Sequence, residues 1–169
     1  PAKQAFAPFA HPLIFLFMGG FMLAEALSAQ GVDRRAALWM LSRKLIAGAP
    51  ARAMVAVAVI AFVFSMWISN TATTIMMFAV GLSVIDFIAH HTDDDRMVRN
   101  FGVALMLSIA YSASIGGVGT LIGTPPNALL ASFLQNTYDI EITFFNWMLM
   151  GIPVVVVMLP TTWLILTRL

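Results

Sequence analysis

Charged residues divide this chain into four long apolar runs. Residues 12–32 carry one charge, Glu25, and have the length of about 20 residues that a single membrane-spanning helix needs. Residues 53–85, 101–138 and 142–167 carry none. Between the runs lie a basic stretch with Arg34, Arg35, Arg43, Lys44 and Arg52, a polar turn from His90 to Arg99, and a short acidic stretch with Asp139 and Glu141. Arg168 closes the last run. The pattern predicts an all-α integral membrane fold, whose backbone hydrogen bonds are satisfied within each segment.

Composition agrees with this. The chain is 60% hydrophobic and 10% charged, with a mean hydropathy of +0.91. Soluble domains average about 45–50% apolar and about 25% charged. An ordinary soluble domain and a disordered chain are both excluded. Nine Lys+Arg against eight Asp+Glu leave a net charge of +1, which argues against a nucleic-acid partner. Three His and no Cys remove disulfide frameworks, thiol chemistry and thiolate metal sites. The chain opens on Pro1 without the basic start and cleavage site of a signal peptide, and reads as a piece of a longer protein.

The distribution of Lys and Arg sets an orientation. If the stretches around 33–52, 91–99 and 168 face the cytoplasm, every Lys and Arg except Lys3 lies inside, and the 139–141 loop faces out. The run 53–85 then has both ends on the cytoplasmic side. As one helix it is about 50 Å long, against a hydrocarbon core of about 30 Å, and two full crossings need about 40 residues plus a turn. The remaining solution is a re-entrant helical hairpin with its tip at Ser69-Asn70-Thr71. The run 101–138 has one end inside and one outside but too many residues for one crossing. Its middle carries Gly116, Gly117, Gly119, Gly123, Pro125 and Pro126, which do not sustain a regular helix. A broken helix is expected, with an inner half near 101–115 and an outer half starting near Pro126. Residues 34–46, with Leu38, Leu41 and Leu45 on one stripe, suit a helix at the cytoplasmic interface.

Two segments thus place polar, irregular backbone inside the membrane, where it is tolerated only if buried in protein or lining a water-filled cavity. Ser65 and Ser69 share a helix face, and Asn70, Thr71, Thr73 and Thr74 follow. Ser and Thr often bond their own i−4 carbonyl or a neighbouring helix, and that role is assigned to Thr73 and Thr74. At a hairpin tip the free carbonyls of one arm, with hydroxyl and amide oxygens, form a neutral cage for a small cation. The free N–H groups of the other arm suit an anion. The loop 116–127 admits three readings. Gly119 and Gly123 could be a helix-packing GxxxG. A dinucleotide fingerprint fails for want of a preceding strand. In the third reading, unwound carbonyls bind a coupling ion and the helix start at Pro125-Pro126-Asn127 faces an anion, as in discontinuous transporter helices.

Ser65-Met66-Trp67-Ile68-Ser69-Asn70-Thr71-Ala72-Thr73 resembles the signature of the divalent anion/sodium symporters, the sodium-coupled di- and tricarboxylate transporters. Tyr111-Ser112-Ala113-Ser114-Ile115-Gly116-Gly117 with Gly123-Thr124-Pro125-Pro126-Asn127 resembles the broken helix of that family, and residues 12–31 resemble the spanning helix before its hairpin. The resemblance implies an elevator-type secondary transporter of the bacterial inner membrane, usually a homodimer. Its partners are a dicarboxylate substrate, sodium, the lipid bilayer and the remainder of the transporter. Carried over by position, Ser65, Ser69, Asn70 and the Gly123 carbonyl bind one Na⁺ as coupling ion, while Asn70, Thr71, Thr124 and Pro125 contact a substrate carboxylate. The family uses each motif twice, in inverted repeats, and here each occurs once. The chain therefore corresponds to most of the first repeat. The implied division is a scaffold spanning helix (1–32), a cytoplasmic linker helix (33–50) and a transport-domain half (51–169). That half comprises the hairpin 51–89, the broken helix 100–138 and a spanning helix 142–168.

The expected function is sodium-coupled symport of a di- or tricarboxylate, with a sodium-independent dicarboxylate exchanger or sulfate carrier on the same fold as the alternative. A channel would need a continuous pore lined by charged rings or filter carbonyls, and an intramembrane protease a catalytic motif that is absent from these residues. No enzymatic function is expected. Glu25 is an intramembrane acid and a functional candidate by default, balanced by its closeness to the cytoplasmic end. His90, His91 and Asp93-Asp94-Asp95 read as a solvated turn rather than a metal site, since no ligand spacing is enforced.

Overall fold

The computed structural model describes residues 50–168 continuously, together with positions 15, 18, 19, 22, 25, 26, 29–32, 35 and 39. Helical backbone at 15, 18, 19, 22, 25, 26 and 29 gives way to a turn at Gln30 and Gly31. Gly31 has a φ of 64° there, a left-handed conformation that glycine adopts without steric cost. This turn falls at the end of the first apolar run. Glu25 is helical and exposed. The linker helix expected over 34–46 lies outside the described residues except for Arg35 and Trp39, both helical.

Five helices follow: α1 Pro50–Ser65, α2 Asn70–Ala89, α3 Asp95–Val118, α4 Pro125–Tyr138 and α5 Phe144–Arg168. Their boundaries have local causes. Pro50 opens α1, where its missing N–H goes unnoticed. Ser69 caps α2, its side chain accepting from the Ala72 N–H. Asp94 caps α3 by accepting from the N–H groups of Arg96 and Met97, each at 3.0 Å. Pro125 and Pro126 occupy the first positions of α4, which ends at Asp139 in the left-handed region. The Thr143 side chain accepts from the Asn146 N–H at the start of α5.

The hairpin is present, with its turn at 66–69 rather than at Ser69-Asn70-Thr71. The Ser69 cap lets Asn70 and Thr71 enter the first turn of α2. The inner part of the broken helix is longer than expected. The Asp94 cap draws Asp95, Arg96 and Arg99 into α3, and Gly116 and Gly117 stay helical. The outer part begins at Pro125 and the last helix at Phe144. Helices α2, α3 and α5 are each long and apolar enough to cross a membrane.

Helices α1, α2, α3 and α5 pack together, α1 most extensively on α3. Met54, Val57, Ile60, Ala61, Met77, Val80, Leu105 and Ile109 form the core between α1, α2 and α3. A groove lined by Ala51, Met54, Asp94, Arg96, Leu166 and Thr167 puts the starts of α1 and α3 and the end of α5 at one end of the bundle. Both ends of the hairpin therefore lie at that end. The 66–69 turn and the 119–124 loop lie at the other. Measured from the charged end, the apolar lengths of α1 (53–64), α2 (71–85) and α3 (101–118) are about 18, 23 and 27 Å. Over these apolar stretches all three are shorter than a hydrocarbon core of about 30 Å, while the full lengths of α2 and α3 reach it.

Helix α4 is the exception, packing extensively on none of the other four. Asn127, Ala128 and Ala131 are its buried residues, while Leu129, Leu130 and Phe133 are exposed. Large apolar side chains are exposed along α2 and α5 as well, including Ile75, Phe78, Val156 and Val157. Exposed apolar surface on this scale marks an interface with lipid or protein.

Candidate functional site

The site forms where the hairpin turn meets the unwound loop. Ser65 closes α1 and is fully buried. Its Oγ lies 2.6 Å from Asn70 Oδ1 and 2.6 Å from the Ala113 carbonyl oxygen. A hydroxyl has one proton to donate, so it serves one of these two oxygens and meets the other with lone pairs. The Asn70 amide in turn lies against Gly117, where any Cβ would collide with it. Gly117 backs onto Gly123, whose Cβ would stand 2.6 Å from the Gly117 carbonyl oxygen. Ser65, Asn70, Gly117 and Gly123 thus form one contiguous layer, closed by the absence of side chains at both glycines. Gly116 serves the layer beneath, bringing the α3 backbone against the Phe62 carbonyl of α1.

Of the sequence-predicted residues, Ser65 and Asn70 are in direct contact and Gly123 adjoins them through Gly117. Ser69 stands at the N-cap with its side chain on the Ala72 N–H at 3.2 Å. Thr71 and Pro125 are exposed and Thr124 is half-buried, and no hydrogen bond joins these three among the described residues. The predicted cation ligands are therefore the more buried set and the predicted anion contacts the more open one. Thr74 bonds the Asn70 carbonyl at 2.7 Å, as its i−4 role requires. Thr73 departs from that role: its Oγ1 is buried without a partner.

The two helix starts differ in what they offer an anion. At α4 the first two residues are prolines without N–H groups, and the Asn127 N–H is spent on the Thr124 carbonyl at 3.2 Å. At α2 the N–H groups of Ala72 and Thr73 are taken by Ser69. Those of Asn70 and Thr71 meet no acceptor among the described residues. Donors for an anion are thus at Asn70 and Thr71, and α4 contributes chiefly the positive end of its dipole. Sequence reasoning gave both helix starts equal weight because it counted helix ends without counting the hydrogens that proline lacks.

The roles of three further residues emerge from the structure. Asn127 donates from Nδ2 to the carbonyls of Gly117 and Thr120, both at 2.8 Å. Thr120, fully buried, donates its hydroxyl to the Met66 carbonyl in the hairpin turn. Trp147 of α5 donates Nε1 to the Val118 carbonyl at 3.0 Å. An intramembrane Asn directly after Pro-Pro is the one of these with a signal in the sequence, since a buried amide must find partners. Away from the site, Nδ1 of His90 and of His91 lies 2.8 and 2.7 Å from the carbonyl oxygens of Asp86 and Phe87, an arrangement that finishes the end of α2.

The citrate transporter family profile matches residues 1–169. The chain belongs to the citrate transporter family. It is 40% identical over 161 residues to an uncharacterized transporter of Haemophilus influenzae, covering 94% of this chain and 32% of that protein. It is 36% identical over 168 residues to the sodium-dependent dicarboxylate transporter SdcS of Staphylococcus aureus, covering 97% of this chain and 32% of that protein. The chain thus spans about a third of the length of the curated relatives it matches. Family membership bears out the resemblance to the sodium-coupled di- and tricarboxylate transporters. With helices long and apolar enough to cross a membrane, it makes this a multi-pass integral membrane transporter sequence.

Proposed function

We propose that these residues form one inverted half of a sodium-coupled symporter for a di- or tricarboxylate such as succinate. In this reading it works as a homodimer by an elevator movement in the bacterial inner membrane. The observation that carries the reading is the Asn70 amide, held between the end of α1, the start of α2 and the last turn of α3. Na⁺ binds among Ser65, Ser69, Asn70 and the Gly123 carbonyl. When Ser65 gives its proton to the Ala113 carbonyl, the lone pairs of Ser65 Oγ and Asn70 Oδ1 face each other at 2.6 Å. A cation relieves that opposition. One substrate carboxylate binds at Asn70, Thr71, Thr124 and Pro125, taking the free N–H groups at the start of α2.

Co-binding follows from charge. The carboxylate meets neutral donors and helix dipoles, so a neighbouring Na⁺ supplies its compensating charge. In a site of low dielectric that attraction is far stronger than in water. The name of the Staphylococcus aureus relative, a sodium-dependent dicarboxylate transporter, supports both the ion and the substrate class. Uptake of labelled succinate into liposomes holding the full-length protein tests the reading. Uptake should require an inward sodium gradient and vanish when potassium or choline replaces sodium. Uptake unaffected by that replacement would exclude sodium coupling.

A further inference from the structure

Helix α4 brings one of the two helix starts to the site, yet it packs extensively on none of α1, α2, α3 and α5. Among the described residues, side-chain hydrogen bonds are what tie its start to the other helices. Two side chains form a continuous path from α4 to α2. Asn127, 7% exposed and in the first turn of α4, donates to the carbonyls of Gly117 and Thr120 at 2.8 Å each. These bonds tie α4 to the end of α3 and to the loop. Thr120 is fully buried and donates to the Met66 carbonyl, which ties the loop to the hairpin turn. The turn ends at Ser69, the cap of α2. The Gly117 and Met66 carbonyls accept no other bond among the described residues, while the Thr120 carbonyl also accepts from the Gly123 N–H at 3.4 Å. Loss of either donor therefore leaves one carbonyl of the path without its partner.

We infer that Asn127 and Thr120 are positioning residues that hold the start of α4 against the start of α2. They thereby make the cation side and the anion side of the site respond as one body. The mechanical part rests on the hydrogen bonds alone. The consequence for coupling rests on the symport reading above. Neither residue touches either ligand in that reading. Both act through the loop that carries Gly123 and Thr124. If the path is intact, Na⁺ bound beside Asn70 and Gly123 also sets the position of Thr124 and Pro125 for the carboxylate. If it is cut, each side binds alone.

The test uses the full-length protein with cysteines outside these residues removed and spin labels at Ile75→Cys on α2 and Phe133→Cys on α4. Both positions are exposed, at 68% and 55%, and this chain adds no cysteine of its own. Thr120→Val keeps the side-chain shape and deletes the donor. It should broaden the distance distribution between the labels, and Thr120→Ser should restore the parental width. Asn127→Asp, which deletes the donor hydrogens at constant shape, should broaden it as well and serves if the valine variant does not fold. A distribution as narrow in the donor-deleted variants as in the parent overturns the inference.

The second readout is the ratio of succinate affinities with and without saturating sodium. Thr120→Val should lower that ratio about tenfold, which is about 1.4 kcal/mol of lost coupling, and Thr120→Ser should retain it. Equal weakening of both affinities with the ratio unchanged would overturn the coupling role. A parental protein whose succinate binding ignores sodium would overturn the symport reading instead, and the label distances then decide the positioning role on their own.

Discussion

At the scale of single residues, the site is built by hydrogen-bond arithmetic more than by charge. Asn70 is the residue whose loss should cost most, because its amide touches Ser65 on one side and Gly117 on the other. In the full-length protein, Asn70→Ala should abolish sodium-dependent succinate uptake while leaving the detergent-purified protein monodisperse. Unchanged sodium affinity in that variant would move the ion elsewhere. Thr73 gives the opposite expectation. Its buried Oγ1 lacks a partner, and an unsatisfied buried hydroxyl costs about 1–3 kcal/mol. Thr73→Val, equal in shape and free of the polar atom, should leave the thermal midpoint unchanged or raise it. A clear fall would mean that the hydroxyl finds a partner in the assembled transporter.

At the scale of elements, the hairpin α1–α2 and the discontinuous pair α3–α4 explain each other. A polar turn in an apolar setting needs partners that water would otherwise supply, and Thr120 of the unwound loop supplies one at the Met66 carbonyl. Orientation is the testable part. The groove at the common end of α1, α3 and α5 includes Asp94, Arg96 and Thr167, next to the basic positions Arg52, Arg99 and Arg168. By the distribution of positive charge that end is expected to face the cytoplasm. Single cysteines at Ser42 and Asp94 should react with an impermeant maleimide only from the inside, and one at Glu141 only from the outside. Reaction of positions 42 and 94 from opposite faces would exclude a re-entrant hairpin.

At the scale of the whole molecule, the exposed apolar faces of α2, α4 and α5 set the expectation. Leu129, Phe133, Val156 and Val157 lie open, α4 is held at its start and little elsewhere, and the anion contacts are the open side of the site. In inverted-repeat carriers the site is completed by the second repeat, and one bundle moves against another around it. The 169-residue chain reconstituted alone should therefore accumulate no succinate above empty liposomes under an inward sodium gradient. It should still bind sodium, because Ser65, Ser69, Asn70 and Gly123 are all within it. Gradient-driven accumulation would show that one half suffices.

How much of this was legible in the sequence depends on the range of the interaction. Apolar run lengths and the placement of Lys and Arg are local quantities, and they were enough for the helices, the hairpin and the break before Pro125. Caps shifted the boundaries by a few residues: Ser69 moved the turn to 66–69 and Asp94 lengthened α3. A side chain that accepts from one free N–H group, as Ser69 does, or two, as Asp94 does, fixes where a helix starts. Polar residues inside an apolar run singled out Ser65 and Asn70 as candidates, whereas Gly123 entered through the family resemblance alone. The Asn127–Thr120–Met66 path was not legible, because Thr120 and Met66 are 54 positions apart and no spacing rule relates a loop hydroxyl to a distant carbonyl. The loose packing of α4 on α1, α2, α3 and α5 was equally hidden: an apolar helix reads the same whichever neighbour its face meets. Sequence alone determined which segments leave water and which polar groups must find partners there. Only the tertiary structure decided which partners they find, because that choice depends on which backbones the glycines allow to touch.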